Sequence, residues 1–254
     1  MKQNKKLGQV FLINERIADV EAAHAEGKVV IEIGPGSGML TRALCKNAKK
    51  VIAVEKDDAL FSILKYENIG DNIVLINKDF FDATDSELQV RDADILISNI
   101  PYYLSSKVIG WLAEKKMQAV ICLQKEFVDH MLATPGTANY SKLSVISSLL
   151  FRVTKIMDVP RGNFRPVPKV DSVIVYIKPN GRRISRAVLE YVGLIMQHKK
   201  KTLRNAIIDS REKIGLGKDM AAIVAGKINK SDFRVFKLSP EEILKAAKDL
   251  DELV

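Results

Sequence analysis

Cysteine and histidine are scarce in this chain, and long apolar runs are missing. The two cysteines, Cys45 and Cys122, stand apart in apolar surroundings. They are expected to be reduced core residues, which points away from a disulfide-stapled secreted protein and toward the cytoplasm. The three histidines, His24, His130 and His198, share no ligand spacing with one another or with cysteine, so no metal site is expected. No stretch approaches the ~18 consecutive apolar residues of a membrane span. The basic opening MKQNKK leads into apolar residues that alternate with polar ones, unlike the core of a secretory signal. There are no internal repeats and no low-complexity tracts.

What is present suits a globular protein with a full core. Of 254 residues, 47% are hydrophobic and 28% charged, enough for one large domain or one domain with a smaller companion. The net charge is +9, and it is unevenly placed. Residues 181–237 hold 14 Lys and Arg against 5 Asp and Glu, while residues 1–180 hold 24 against 21. A basic surplus confined to one late segment suggests a polyanionic partner.

Taken in order, the chain alternates short β-branched runs with helical periodicity. Ile13 to Glu26 has helical spacing, with Ile17, Val20 and Ala23 as its apolar face. Val29–Ile33 reads as a buried strand running into Gly34-Pro-Gly-Ser-Gly38 and a helix over Met39–Asn47. Further strands are expected at Val51–Val54, Ile73–Ile76, Ile95–Ser98 and Ala119–Leu123, with helices near 59–67, 107–115, 125–133 and 143–150. Ser105 or Ser106 is the expected cap of the helix near 107–115. Two more β-rich runs, Phe151–Val159 and Val173–Ile177, flank a Pro-rich loop at 160–169. This alternation means βαβ units and a doubly wound parallel sheet. After Pro179-Asn180-Gly181 only helical patterns remain, and Ser239-Pro240-Glu241-Glu242 is a strong helix start. The expected division is a sheet domain over 1–180 and a small helical domain over 181–254.

The ends of four successive strands carry a polar or glycine residue suited to a nucleoside-type ligand. Gly34, Gly36 and Gly38 follow the first strand and allow close backbone approach. A dinucleotide fingerprint needs glycine where Met39 stands, which argues against a pyrophosphate cofactor. Glu55 ends the second strand, where an acid can accept from both ribose hydroxyls. Asp79 follows the third and can accept from an adenine amine, with Phe80 as an apolar face. After the fourth comes Asn99-Ile100-Pro101-Tyr102. Pro101 forces the chain out of the sheet, leaving an amide, a carbonyl and a ring at the carboxyl edge.

VIEIGPGSGMLT, AVEKD, NKDFF and SNIPYYLSS resemble the S-adenosyl-L-methionine motifs of class I methyltransferases. More narrowly, with KKLGQVFL, LQKEFVDHM, FRPVPKVDS and MQHKKKTLRNAI, nearly the whole chain resembles the small-subunit rRNA adenine N6-dimethyltransferases. The resemblance implies a Rossmann-like sheet of seven strands, the last antiparallel, followed by a small all-α domain. It implies S-adenosyl-L-methionine as cofactor, with main-chain contacts from Val10 and Leu12. It implies dimethylation of two adjacent adenosines in a hairpin near the 3′ end of small-subunit rRNA, within an immature small ribosomal subunit, by a monomer. Phe164 would form a wall of the base pocket.

Adenine N6 is a weak nucleophile because its lone pair is delocalised into the ring. The Asn99 oxygen and the Ile100 carbonyl can hold its two N–H groups so that the lone pair turns toward the methyl group, Pro101 stiffening the geometry and Tyr102 stacking on the base. For the polyanion, Lys199, Lys200, Lys201 and Arg204 are expected on one or two turns of helix, 200 and 204 sharing a face, with Lys5, Lys6, Arg182, Arg183 and Arg186 as extensions. Three other readings stay open: a large-subunit rRNA adenine dimethylase of the macrolide-resistance type, a DNA adenine or protein-glutamine methyltransferase, and a non-catalytic ribosome-assembly factor on the same fold.

Overall fold

A computed structural model describes residues 10–254. By contact density these divide into two compact units. The first runs to Lys125 and resumes over Val153–Pro179. The second joins Glu126–Arg152 to Asn180–Val254. One break falls between Pro179 and Asn180, and residues 126–152, expected with the sheet, group with the late helices.

The first unit is built on a seven-stranded sheet. Its strands are β2 (Val29–Ile33), β3 (Lys50–Glu55), β4 (Ile73–Asn77), β5 (Ile95–Ser98), β6 (Ala119–Gln124), β7 (Phe151–Val159) and β9 (Ser172–Pro179), in the order β4-β3-β2-β5-β6-β9-β7. The pairs β3–β4, β2–β3, β2–β5 and β5–β6 are parallel, and β9 runs antiparallel to β6. Strands β2, β5 and β6 are buried along almost their whole length, because helices cover both faces of a parallel sheet. The chain winds outward from β2 through β3 to β4, then returns to lay β5 on the other side of β2. The crevice between β2 and β5 is thus the switch point of the winding, where sheets of this kind bind ligands.

Helix α1 (Glu15–Ala22) continues as a tighter turn over Ala23–Ala25. Its buried face is Ile17, Ala18, Glu21, Ala22 and Ala25, whereas Val20 is only half-buried and Ala23 exposed. The i, i+4 row from 17 through 21 to 25 faces the core, so the face expected from Ile17, Val20 and Ala23 is rotated. Helices α2 (Met39–Asn47), α3 (Asp58–Glu67) and α4 (Ser105–Lys115) complete the βαβ units. Neither serine caps α4: its N-cap is Leu104, and the Ser105 hydroxyl donates instead to the Tyr102 carbonyl at 2.7 Å.

A separate two-stranded ribbon pairs β1 (Phe11–Leu12) with β8 (Phe164–Arg165) in antiparallel register, Leu12 opposite Phe164. Ile13 N–H donates to the Asn163 carbonyl at 2.9 Å, and the Asn14 amide donates to the Asn163 side-chain oxygen at 2.8 Å.

The second unit contains most of α5 (Lys125–Met131), then α6 (Lys142–Leu150), α7 (Arg186–Gln197), α8 (Leu203–Asp209), α9 (Arg211–Ile214), α10 (Lys218–Lys227) and α11 (Pro240–Leu253). Tyr140, Val145 and Leu149 belong to its core, with Val192, Leu203, Ile207, Ile243 and Leu250. The buried Tyr140 hydroxyl donates to the Leu238 carbonyl at 2.9 Å. Those apolar contacts are why 126–152 belongs to this unit. The α11 start is as expected: Ser239 and Glu242 form a reciprocal capping box, with Pro240 at the first helical position. No helix among the described residues is long and apolar enough to cross a membrane.

Candidate active site

At the carboxyl ends of β2, β3, β4 and β5 the first unit has a cleft of about 1100 Å³, counted to its open mouth. It is lined by Val10, Leu12, Gly34, Gly36, Glu55, Asp79, Phe80, Asn99, Ile100, Pro101, Tyr102 and Phe164. All the expected cofactor and transfer residues meet there except Gly38.

Gly34 and Gly36 have φ of +63° and +58°, a region that costs a side-chain-bearing residue strain. A Cβ on Gly36 would sit 3.0 Å from the Phe11 ring, so glycine lets the loop lie under β1. Gly38 serves packing instead. It is the left-handed N-cap of α2, and a Cβ there would fall 2.7 Å from Leu64. The need met by this glycine is helix-to-helix proximity, which its spacing in sequence does not separate from ligand approach.

Glu55 is buried, and both its oxygens already accept backbone N–H groups, Gly36 at 3.0 Å and Asp57 at 2.8 Å. Burial raises its pKa, and these hydrogen bonds oppose the rise. A carboxylate has about four acceptor positions, so room remains for a diol. Asp79 caps the turn Phe80–Asp82 through Phe81 N–H and pairs with Lys56 at 2.8 Å, which together hold its carboxyl below the usual range. Phe80 is buried edge-on to Phe81 and Trp111, with centroids 5.3 and 5.1 Å away. Lys56 was not singled out from sequence; its pairing depends on the loops after β3 and β4 lying side by side.

The Asn99 corner is different. The Asn99 amide nitrogen donates to Glu21 at 2.9 Å, and its oxygen is buried with no hydrogen-bond partner among the described residues. No donor among those residues reaches the Ile100 carbonyl either. Tyr102 stands half-buried in a tight turn that opens at Pro101, its hydroxyl 2.7 Å from Ser172 Oγ. Phe164 is 3% exposed and is held in the cleft wall by its pairing with Leu12. Cys122 also lines the cleft, and burial pushes its thiol well up.

Two acids behind this corner were missed. Glu21 and Glu32 are 0% and 1% exposed, and burial pushes both up to about 8. The signal for Glu21 was a carboxylate at i+4 from Ile17, on the apolar face of α1. For Glu32 it was an acid inside the apolar run of β2.

The four basic residues belong to the second unit, and their arrangement differs from expectation. Helix α7 ends at Gln197, and Thr202 caps α8 by accepting from Asn205 N–H. Lys199, Lys200 and Lys201 therefore lie in the turn between helices, and Lys200 shares no helical face with Arg204. The turn is fixed by backbone bonds from Phe236 to Lys199 and from Val235 to Lys201. Lys199 Nζ donates to the carbonyls of Ala138 and Tyr140, and Lys201 pairs with Asp209 at 2.5 Å. Lys200 and Arg204 are exposed, with no acidic partner among the described residues. Lys5 and Lys6 lie outside the described residues; Arg182 pairs with Glu241 and Arg186 with Glu190.

A family model described as ribosomal RNA adenine dimethylase matches residues 1–252. A curated relative from Thermococcus onnurineus, a probable ribosomal RNA small subunit methyltransferase A, is 36% identical and covers 96% of this chain and 90% of its own. Among solved structures, a dimethyladenosine transferase from Plasmodium falciparum superposes with a TM-score of 0.81 at 27% identity, covering 96% of this chain and 98% of its own. The 23S rRNA methyltransferase ErmE superposes with a TM-score of 0.63 at 25% identity, over 95% and 99%. Sheet order and neighbours alike are those of a class I methyltransferase fold, and the chain belongs to the ribosomal RNA adenine dimethylase family.

Proposed function

We propose that the Asn99 corner transfers methyl groups to N6 of two adjacent adenosines near the 3′ end of small-subunit rRNA, on an immature subunit in the cytoplasm, with the protein acting as a monomer. The protein is an S-adenosyl-L-methionine-dependent rRNA adenine dimethyltransferase. One observation carries the assignment of the corner: at two residues lining the cleft, the Asn99 oxygen and the Ile100 carbonyl have no hydrogen-bond donor among the described residues. A planar amine with two N–H groups fills both.

The cleft fits the cofactor. Glu55 would hold the ribose diol, Asp79 and Phe80 the adenine, and the Gly34–Gly36 loop with Val10 and Leu12 the remainder. When bound, the cofactor supplies an electrophilic methyl group on a sulfonium. Asn99 and Ile100 would accept the N–H bonds, two in the first transfer and one in the second, and so turn the N6 lone pair toward the methyl group. The C–S bond would break as the C–N bond forms, and one N6 proton per transfer would leave to solvent through the open mouth of the cleft. Pro101 stiffens the pair, and Tyr102 and Phe164 close on the two faces of the base. Such positioning favours the transition state over the free base.

Lys200 and Arg204 would contact phosphates and give salt-dependent, sequence-independent affinity. A small-subunit substrate is favoured over a large-subunit one by the curated relatives, which are named ribosomal RNA small subunit methyltransferase A at 34–36% identity. The test is methyl transfer from labelled cofactor to immature small subunits, naked rRNA and DNA in parallel. Dimethyladenosine in the small-subunit RNA is expected. Label in DNA alone, or none in any substrate, would overturn the reading.

A further inference from the structure

We infer that Glu21 is a positioning residue for methyl transfer: its carboxyl fixes the Asn99 amide so that the oxygen, not the nitrogen, faces the target amine. The inference rests on the reading of the Asn99 corner given above.

An asparagine side chain is nearly symmetric in shape and can present either end to a cleft. Only the oxygen end accepts an N–H. Something must choose the end, and in this molecule the contact that does so is the 2.9 Å bond from Asn99 Nδ2 to Glu21 Oε2. Glu21 is fully buried on the core face of α1, 78 residues away in sequence. Its other oxygen has no hydrogen-bond partner among the described residues, so the group meets no other visible structural demand. A buried carboxyl held by one bond is an expensive way to stabilise a helix. Its effect is instead to leave the Asn99 oxygen buried and without a hydrogen-bond partner among the described residues. Burial pushes the Glu21 carboxyl up to about 8, and the bond from Asn99 opposes that rise.

Geometry and charge predict opposite orders for two substitutions. E21Q keeps an acceptor at the same reach and removes the ionisable group. E21D keeps the ionisable group and withdraws the acceptor by one methylene. We expect E21Q to retain kcat within about twofold and E21D to lose about 10- to 100-fold in kcat, as small misplacements do. Cofactor affinity, measured by calorimetry on each variant, should stay unchanged in both. In an N99A background E21D should cost less than about a further twofold, because the group it positions is gone. An active E21D with an inactive E21Q would overturn the inference. So would a loss of equal size in the N99A background, or a fall in cofactor affinity with kcat intact. If E21D does not melt cooperatively, the E21Q result and its coupling to N99A still decide. Wild-type failure on every RNA would instead break the reading of the site itself.

Discussion

The two ends of the cleft are built on opposite rules. At the Glu55 end the polar atoms are already satisfied by the protein: both Glu55 oxygens accept backbone N–H groups, and Asp79 is tied to Phe81 N–H and Lys56. At the Asn99 end the side-chain oxygen is buried with no hydrogen-bond partner among the described residues. A buried acceptor without a donor costs about 1–3 kcal/mol, so the fold tolerates at the transfer corner what it avoids at the other end. Under the proposed roles, the contrast separates holding from reacting. A group that holds a cofactor gains from being rigidly set by its own backbone. A group that must recognise an amine gains from having nothing else to bond.

The sharpest way to break this comparison is N99A. It should leave cofactor affinity intact and lower kcat by about 10²- to 10³-fold, the usual scale for removing one preorganised partner of the transition state. A parallel loss of cofactor affinity would show that the two ends are not separate. E55A should do the reverse. Calorimetry should show cofactor binding weakened by about 10- to 100-fold, the range for hydrogen bonds to a charged group, while kcat at saturation stays close to wild type.

A pH series on thermal stability tests the buried acids behind the transfer end. Glu21 and Glu32 sit at about 8 when folded against 4.5 when exposed, so folding favours their protonated forms. The stability they contribute is complete below about pH 4.5 and is lost as pH rises to about 8. Melting temperature should therefore fall across that window, and less so in E21Q or E32Q. An identical slope in those variants would mean the acids are solvated. The smallest effect belongs to K56M. Its pair with Asp79 is exposed, so the melting temperature should not move, and any change should appear only as slightly altered cofactor affinity.

Much of the first unit was legible because buried parallel strands and their turns write strong local patterns. Val29–Ile33, Ile95–Ser98 and the helix at Met39–Asn47 appear at the residues expected. What was hidden depends on distant partners. Two-residue strands such as Phe11–Leu12 have no period to read, and only their pairing makes them strands. Lys199–Lys201 looked helical because lysine is a good helix former, but the Thr202 cap starts a new helix after them. Residues 126–152 carry helical periodicity without any mark of which core they join. Glu21 was hidden by its type, since a carboxylate is expected at the surface.

The ribbon of Phe11–Leu12 with Phe164–Arg165 has a consequence in time as well as space. The wall of the transfer chamber is shared between the start of the described chain and a segment about 150 residues later. At ordinary translation speeds the earlier half waits roughly 10–30 s for its partner to be synthesised. The cofactor loop and the Asn99 corner are made within that interval, yet the chamber stays open until Phe164 has emerged. The growing polypeptide therefore cannot complete this wall before Phe164 is made.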